Sequence, residues 1–405
     1  MLKKAANYLS FSILSAIIGF LAVIYMSRVI SQEEMGVIGL FMGALYIAPE
    51  LIAFSTTGLI AINKVKLEKV QFLYFARSYI TFGFLNFVLL FISSIAISFL
   101  FEGYWVIFVV IPIISFFMFL ISFHYSELIQ DGHSISYGLY NLFNVVITTL
   151  LTLFFLSGLS LDWDGRIFAM LISQILVVML MHRKTFKTLK LFKVSINKIQ
   201  FKKFIVFGFP LLLALGAGWI LNQIDSYMVL YFFTLKDVGV YTVAYSVGAA
   251  VNTINQAATN AIMPMLYNAL EKKEGHKIIK KINLYYSTLI ILISLIVGVG
   301  SYWYIPIIFG DSYLQSANIV FFIALAFGFN GVYRTTGGVI AFYKKNNLQM
   351  KIVYLGAIVN VIFSLIFIPY FGIISPAIGT MIAFMLLAYM SYLYSMRILL
   401  KEEKL

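Results

Sequence analysis

Three ionisable residues, Glu50, Asp225 and Arg334, each interrupt a long apolar run. A charge at bilayer depth costs roughly 2.5–3.5 kcal/mol on insertion scales, so it is usually retained for a pathway or a partner. A carboxylate there can accept a proton or Na⁺, and a guanidinium fork fits phosphate oxygens. Asp225 belongs to the polar cluster Asn222-Gln-Ile-Asp-Ser226, and Glu50 directly follows Pro49, whose ring kinks a helix and frees a carbonyl. Arg334 follows Asn330 and precedes Gly337 and Gly338. Each also has a bland alternative: a carboxylate bonded to a neighbouring helix, or an arginine snorkelling to the interface. Asn252, Asn255, Gln256 and Asn260 follow helical spacing and are expected to share one face, suited to interhelical hydrogen bonds or to sugar hydroxyls. Arg28, at the end of the first apolar run, reads as an interface anchor before it reads as a ligand.

These residues need a membrane frame. The 405 residues are 62% hydrophobic and 11% charged, with a mean hydropathy of +0.96. A soluble core of this size could not hide so much apolar surface. The chain has no cysteine, which excludes disulfides and thiolate metal sites. Neither a phosphate-binding G-x-x-x-x-G-K-[ST] loop nor a G-x-S-x-G or paired-histidine motif is present, so the reading is not an enzyme and needs no cofactor. His124, Glu127, Asp131 and His133 read as a solvated loop rather than a metal site.

Segments 8–30, 36–62, 79–101, 104–123, 136–156, 165–182, 205–233, 239–265, 284–309, 316–342, 352–370 and 374–396 are long and apolar enough to cross a 30 Å core. The first follows Lys3 and Lys4 but outruns a signal-peptide core, and reads as a retained span. With the N-terminus cytoplasmic, all of the 29 Lys and Arg except Arg28, Arg166, Lys236 and Arg334 fall on the inside. That asymmetry follows the positive-inside rule and places both termini in the cytoplasm. It also accounts for the net charge of +13 without nucleic acid. The expected architecture is an all-α membrane protein of twelve transmembrane helices: a six-helix lobe at 1–182, a basic cytoplasmic linker at 183–203, and a second six-helix lobe at 204–405. The linker reads as an amphipathic stretch lying on anionic headgroups.

A faint duplication supports the two lobes. Val29-Ile-Ser-Gln-Glu-Glu-Met-Gly-Val37 aligns with Phe232-Phe-Thr-Leu-Lys-Asp-Val-Gly-Val240 at an offset of 203 residues. Both have the form S/T-x-x-E/D-x-G-V, a helix N-cap in which Ser31 or Thr234 accepts from the following turn. Asn144 and Asn360 are weaker echoes, each in the fifth span of its half. Six spans per half imply a parallel repeat around a central cavity that opens alternately to either side.

The stretches AANYLSFSILSAIIGFLAVIYMSRVISQEEMGVIGLF and FGFPLLLALGAGWILNQIDSYMVLYFFTLKDVGVYTVAYSVG carry a resemblance. They are similar to the openings of the two halves of Wzx-type O-antigen and polysaccharide flippases, of the multidrug/oligosaccharidyl-lipid/polysaccharide exporter superfamily. The resemblance implies a bacterial inner-membrane protein moving an undecaprenyl-pyrophosphate-linked oligosaccharide, typically an O-antigen repeat unit, among membrane lipids and other polysaccharide-assembly proteins. It also supports a role for the motif of Gln223, Asp225, Gly239 and Tyr241. On this reading Lys64, Lys66, Arg77 and Arg334 draw in the pyrophosphate, while Asn222, Gln223, Asn252, Asn255 and Gln256 meet the sugars. Asp225 or Glu50 serves a coupling ion or gating. The alternatives are a cation-coupled multidrug exporter of the same superfamily and a membrane polysaccharide polymerase or glycosyltransferase. The latter class usually carries a large extramembranous catalytic loop, which this sequence lacks.

Overall fold

A computed structural model of the chain describes residues 2–101, 103–181, 194–271 and 276–402. Most of the expected linker, 183–193, lies outside the described residues. The chain is all-helical, with no strand among the described residues. In order the helices are α1 (Leu2–Val29), α2 (Gln32–Ala53), α3 (Gly58–Lys66), α4 (Lys69–Ser98), α5 (Trp105–Gln130), α6 (Ser134–Leu153) and α7 (Trp163–Met181). After these come α8 (Lys198–Phe232), α9 (Leu235–Glu271), α10 (His276–Phe309), α11 (Ser316–Phe342), α12 (Asn346–Phe371) and α13 (Ser375–Glu402). All but α3 exceed 18 residues, which makes twelve long helices among the described residues. Helix is what an apolar run must adopt in lipid, because only internal hydrogen bonds satisfy its backbone. By length and composition, ten stretches qualify as spans; one of them joins α12 to α13, and another joins α2 to α3. Only α9 falls outside them, since its asparagines and hydroxyls lower its hydropathy.

Two expected boundaries need correction. The run 36–62 is not one helix, because α2 ends at Ala53 and Phe54 and Ser55 adopt left-handed φ of 52° and 50°. The break is held by donors for the freed carbonyls. Asn86 Nδ2 donates to Ile52 O at 3.0 Å, Thr56 Oγ1 to Ala53 O at 2.6 Å, and Ser55 N to Glu50 O at 2.9 Å. Gly208 of α8 approaches so closely that a Cβ there would lie 2.1 Å from Phe54 O. Second, α5 continues past residue 123 to Gln130, carrying His124 and Glu127, both 4% exposed, into the packing rather than into a solvated loop.

Packing groups the chain into two compact units, Met1–Ala22 with Leu40–Gly216 and Val23–Gly39 with Ala217–Leu405. The first has an aromatic core in which Tyr79 packs against Phe119 and Phe204, with centroids 5.3 and 5.7 Å apart, and Phe82 also meets Phe204. In the second unit α11 is buried along most of its length, and its Ala324, Ala326, Gly328 and Gly331 let neighbouring helices approach.

Residues 23–39 join the second unit through polar and steric locks. Arg28 Nε donates to Ile308 O at 2.9 Å and its Nη2 to Ile307 O, while Gln32 Nε2 donates to Ser312 O at 2.6 Å. Arg28 is therefore a cation capping the C-terminal end of α10. Both duplicated motifs form reciprocal caps. Ser31 N donates to Glu34 Oε2 at 2.7 Å and Glu34 N to Ser31 Oγ at 3.2 Å; Thr234 N donates to Asp237 Oδ2 at 3.1 Å and Asp237 N to Thr234 Oγ1 at 3.3 Å. The two copies also interlock. A Cβ on Gly36 would lie 2.2 Å from Leu235 O, and one on Gly239 would lie 1.8 Å from Gln32 O. Only glycine allows the duplicated turns to clasp backbone to backbone.

Candidate functional site

The second unit gathers a polar cluster around Asp225 of α8, which is 1% exposed. Tyr241 of α9 donates its hydroxyl to Asp225 Oδ2 at 2.7 Å, and Thr380 of α13 donates its own at 2.6 Å. Asn360 Nδ2 of α12 reaches Asp225 Oδ1 at 3.4 Å and Thr380 Oγ1 at 3.1 Å, while Ser364 Oγ donates to Asn360 Oδ1 at 3.3 Å. Four helices thus converge on one carboxylate that makes no ion pair among the described residues. The Tyr241 and Thr380 hydroxyls and the Asn360 amide N–H all donate to Asp225, whose carboxylate oxygens would suit a proton or Na⁺ far better than a soft metal.

The first unit carries a reduced copy. Asn144 Oδ1 of α6 accepts from Ser173 Oγ at 3.2 Å and Gln174 Nε2 at 3.4 Å, both on α7, and Thr148 Oγ1 bonds Ser173 Oγ at 2.6 Å. Asn144 and Thr148 repeat the spacing of Asn360 and Ser364 in the fifth long helix of each half. The carboxylate has no counterpart: the 203-residue offset carries Asp225 onto Ala22, a buried apolar residue. The polar cluster of the second unit thus holds a carboxylate, and that of the first does not.

Arg334 on α11 is half-buried, and its Nη2 lies 3.4 Å from Asn252 Oδ1 on α9. It makes no ion pair with Asp225. The expected face of amides on α9 is divided. Asn252 is half-buried and Gln256 exposed, but Asn255 is fully buried, donating to Phe327 O and accepting from Tyr286 Oη at 3.0 Å. Asn255 is corrected from a sugar ligand to the amide that ties α9, α10 and α11 together. Asn222 is half-buried and donates to Gly218 O of its own helix at 2.7 Å, and Gln223 beside it is half-buried.

In the first unit, Glu50 is half-buried one turn before the break that ends α2, and makes no ion pair among the described residues. Lys64 at the end of α3 does not offer a spare charge. Its Nζ lies 3.0 Å from Glu127 Oε1, 3.5 Å from Asp131 Oδ2 and 4.8 Å from the Phe72 ring centre. Two carboxylates already neutralise it, so Lys64 is corrected from anion capture to an α3–α5 tie. Lys66 is exposed, and Arg77 is half-buried with its guanidinium over the Tyr74 ring at 6.0 Å. Sequence reasoning missed Thr380, an ordinary hydroxyl in an apolar helix that no spacing distinguishes. It found Asn360 only as an echo of Asn144.

The arrangement is that of a polytopic membrane protein, with long apolar helices and buried polar clusters between them. The chain belongs to the polysaccharide biosynthesis protein family, whose family model matches residues 1–270. It is 26% identical over 210 residues to an uncharacterized membrane protein of Methanocaldococcus jannaschii, covering 48% of this chain and 39% of that one. It is 25% identical over 235 residues to an Lsg locus protein of Haemophilus influenzae, covering 52% and 55%. The chain thus spans about half the length, or less, of these curated relatives. Its fold is similar to an inward-facing multidrug resistance MATE family transporter of the MOP superfamily (TM-score 0.74, 18% identity, 99% of each chain). It is also similar to the lipid II flippase MurJ in an inward closed conformation (TM-score 0.77, 16% identity, 96% of this chain and 87% of that one).

Proposed function

We propose that this chain is a flippase that moves an undecaprenyl-pyrophosphate-linked oligosaccharide, of the O-antigen repeat-unit type, across the inner membrane by alternating access. The observation that carries this reading is the polysaccharide biosynthesis family match over residues 1–270. The site chemistry supports it. Arg334 offers a guanidinium fork to the pyrophosphate, held in place by Asn252. Lys66 and Arg77, on the cytoplasmic side in the proposed topology, are assigned to attracting an anionic headgroup to the membrane surface. Asn222, Gln223, Asn252 and Gln256 are the amides assigned to sugar hydroxyls. Asp225, with Asn360, Ser364 and Thr380, is assigned the coupling Na⁺ or proton, and Glu50, beside the break in its helix, a gating role.

A second reading is a cation-coupled multidrug exporter, favoured by the buried carboxylate and by the fold shared with the MATE transporter. The two separate in one experiment. In a strain lacking the gene, the wild-type chain is expected to restore surface polysaccharide, whereas Arg334→Ala and Asp225→Ala are expected to abolish it at normal protein level. Full complementation by both variants overturns the site assignment. Drug resistance conferred without any change in polysaccharide selects the exporter.

A further inference from the structure

Arg166 lies in the first turn of α7, within the candidate span Trp163–Met181, and the transport reading does not use it. Its Nη1 donates to Thr152 Oγ1 of α6 at 2.9 Å. Thr152 is 1% exposed and donates its own proton to Thr148 O at 2.7 Å, so its free lone pair is turned toward the guanidinium. The Nε of Arg166 is buried with no hydrogen-bond partner, and the residue makes no ion pair among the described residues. The nearby Asp164 accepts from Gly165 N at 2.9 Å.

The surroundings are apolar and close. Past Leu153 the α6 backbone widens into a π-helical turn, Phe154–Gly158, of a kind common at functional sites. Gly165, next to Arg166, packs under it: a Cβ there would lie 3.2 Å from Leu156 Cδ2 and from Phe155 Cβ. Trp163 pairs with Tyr104 at 6.0 Å, as aromatic residues do at headgroup level. A guanidinium has five N–H donors in a planar fork, and a desolvated one lacking a counter-anion is costly. Thr152 holds one edge of this fork and leaves the buried Nε–H vacant.

We propose that Arg166 and Thr152, at the α6–α7 seam below the π-turn, bind a phosphate group at headgroup level, supplied by a membrane lipid. This site is independent of Arg334 and Asp225, which belong to the other unit.

The test uses the purified, delipidated full chain in detergent. Retention of phosphatidic acid is followed by native mass spectrometry, with diacylglycerol as the headless control and inorganic phosphate as competitor. Wild type is expected to retain phosphatidic acid and not diacylglycerol. Arg166→Gln should weaken retention about tenfold or more, as loss of a charge-assisted hydrogen bond does. Arg166→Lys keeps the charge without the fork and should fall between, which preserves the test if the glutamine variant does not fold. Arg166-dependent binding of inorganic phosphate that lipid does not displace keeps the phosphate site but makes free phosphate its source. Equal retention of phosphatidic acid by wild type and by both variants overturns the proposal.

Discussion

Gly36 and Gly239 hold the two copies of the duplicated turn together, and adding one methyl group tests that clasp. On Gly239 the new Cβ would sit 1.8 Å from Gln32 O and 2.7 Å from Gln32 C. Both are backbone atoms that cannot rotate aside, so the turns must separate by more than about 1 Å to restore van der Waals contact. Overpacking of this kind costs about 1–3 kcal/mol, whereas alanine for glycine inside a helix otherwise returns about 1 kcal/mol. A net loss of up to roughly 2 kcal/mol is expected for Gly239→Ala. Gly36→Ala should lose a similar amount, because its Cβ would meet Leu235 O at 2.2 Å. The two losses should not add. Separation forced by the first alanine makes room for the second, so the double variant should fall short of the sum by about 1 kcal/mol, as coupled neighbours do. Gly19 is the control, since nothing lies within 4 Å of its added Cβ, and Gly19→Ala should be neutral or stabilising. Thermal unfolding in detergent, followed by the monodisperse fraction on size exclusion, measures all four variants. If Gly239→Ala is as stable as Gly19→Ala, or if the double variant loses the full sum, the reciprocal clasp is wrong.

Asp225→Asn removes the charge at constant shape, and should abolish any stabilisation of the wild type by Na⁺. That stabilisation amounts to about 2.7 kcal/mol at one hundred times the dissociation constant; an unchanged sodium-dependent melting shift in the variant rejects the ion assignment. Lys64→Met should destabilise more than Glu127→Gln, by up to about 3 kcal/mol, because it leaves a carboxylate that is only 6% exposed without its cation. The reverse order in a denaturation series would refute the α3–α5 tie. Asn255→Ala opens two buried bonds and should cost about 2 kcal/mol of stability. If stability holds and only the complementation of surface polysaccharide fails, Asn255 is a ligand after all. Ser31→Ala removes one cap and should cost about 1 kcal/mol, and Thr234→Ala should cost more because its hydroxyl also donates to Asp237 Oδ2 at 2.6 Å. A smaller melting shift for Thr234→Ala than for Ser31→Ala would argue against this reading of the caps.

The sequence was sufficient for whatever follows from local chemistry. Apolar runs of bilayer length have to be helices, so the all-α class and the twelve long helices among the described residues were legible, though not all of their ends. The caps at Ser31 and Thr234 were legible because a cap is satisfied within one turn of chain. The isolation of Asp225 in an apolar run marked it before any contact was known. Tertiary structure decided everything that depends on what a side chain meets across a helix interface. Lys64 and Lys66 are equivalent in the sequence, yet only Lys64 finds two carboxylates, Glu127 on α5 and Asp131 just past its end. Asn252, Asn255 and Gln256 share a spacing, but about 100° around α9 separates Asn255, bonded to α10 and α11, from the exposed Gln256. Thr380 and Asn360 reach Asp225 from 155 and 135 residues away, through helix packing that no local pattern encodes. The break after Ala53 likewise depends on Asn86 and Gly208 arriving from other helices to satisfy and make room for the exposed carbonyls.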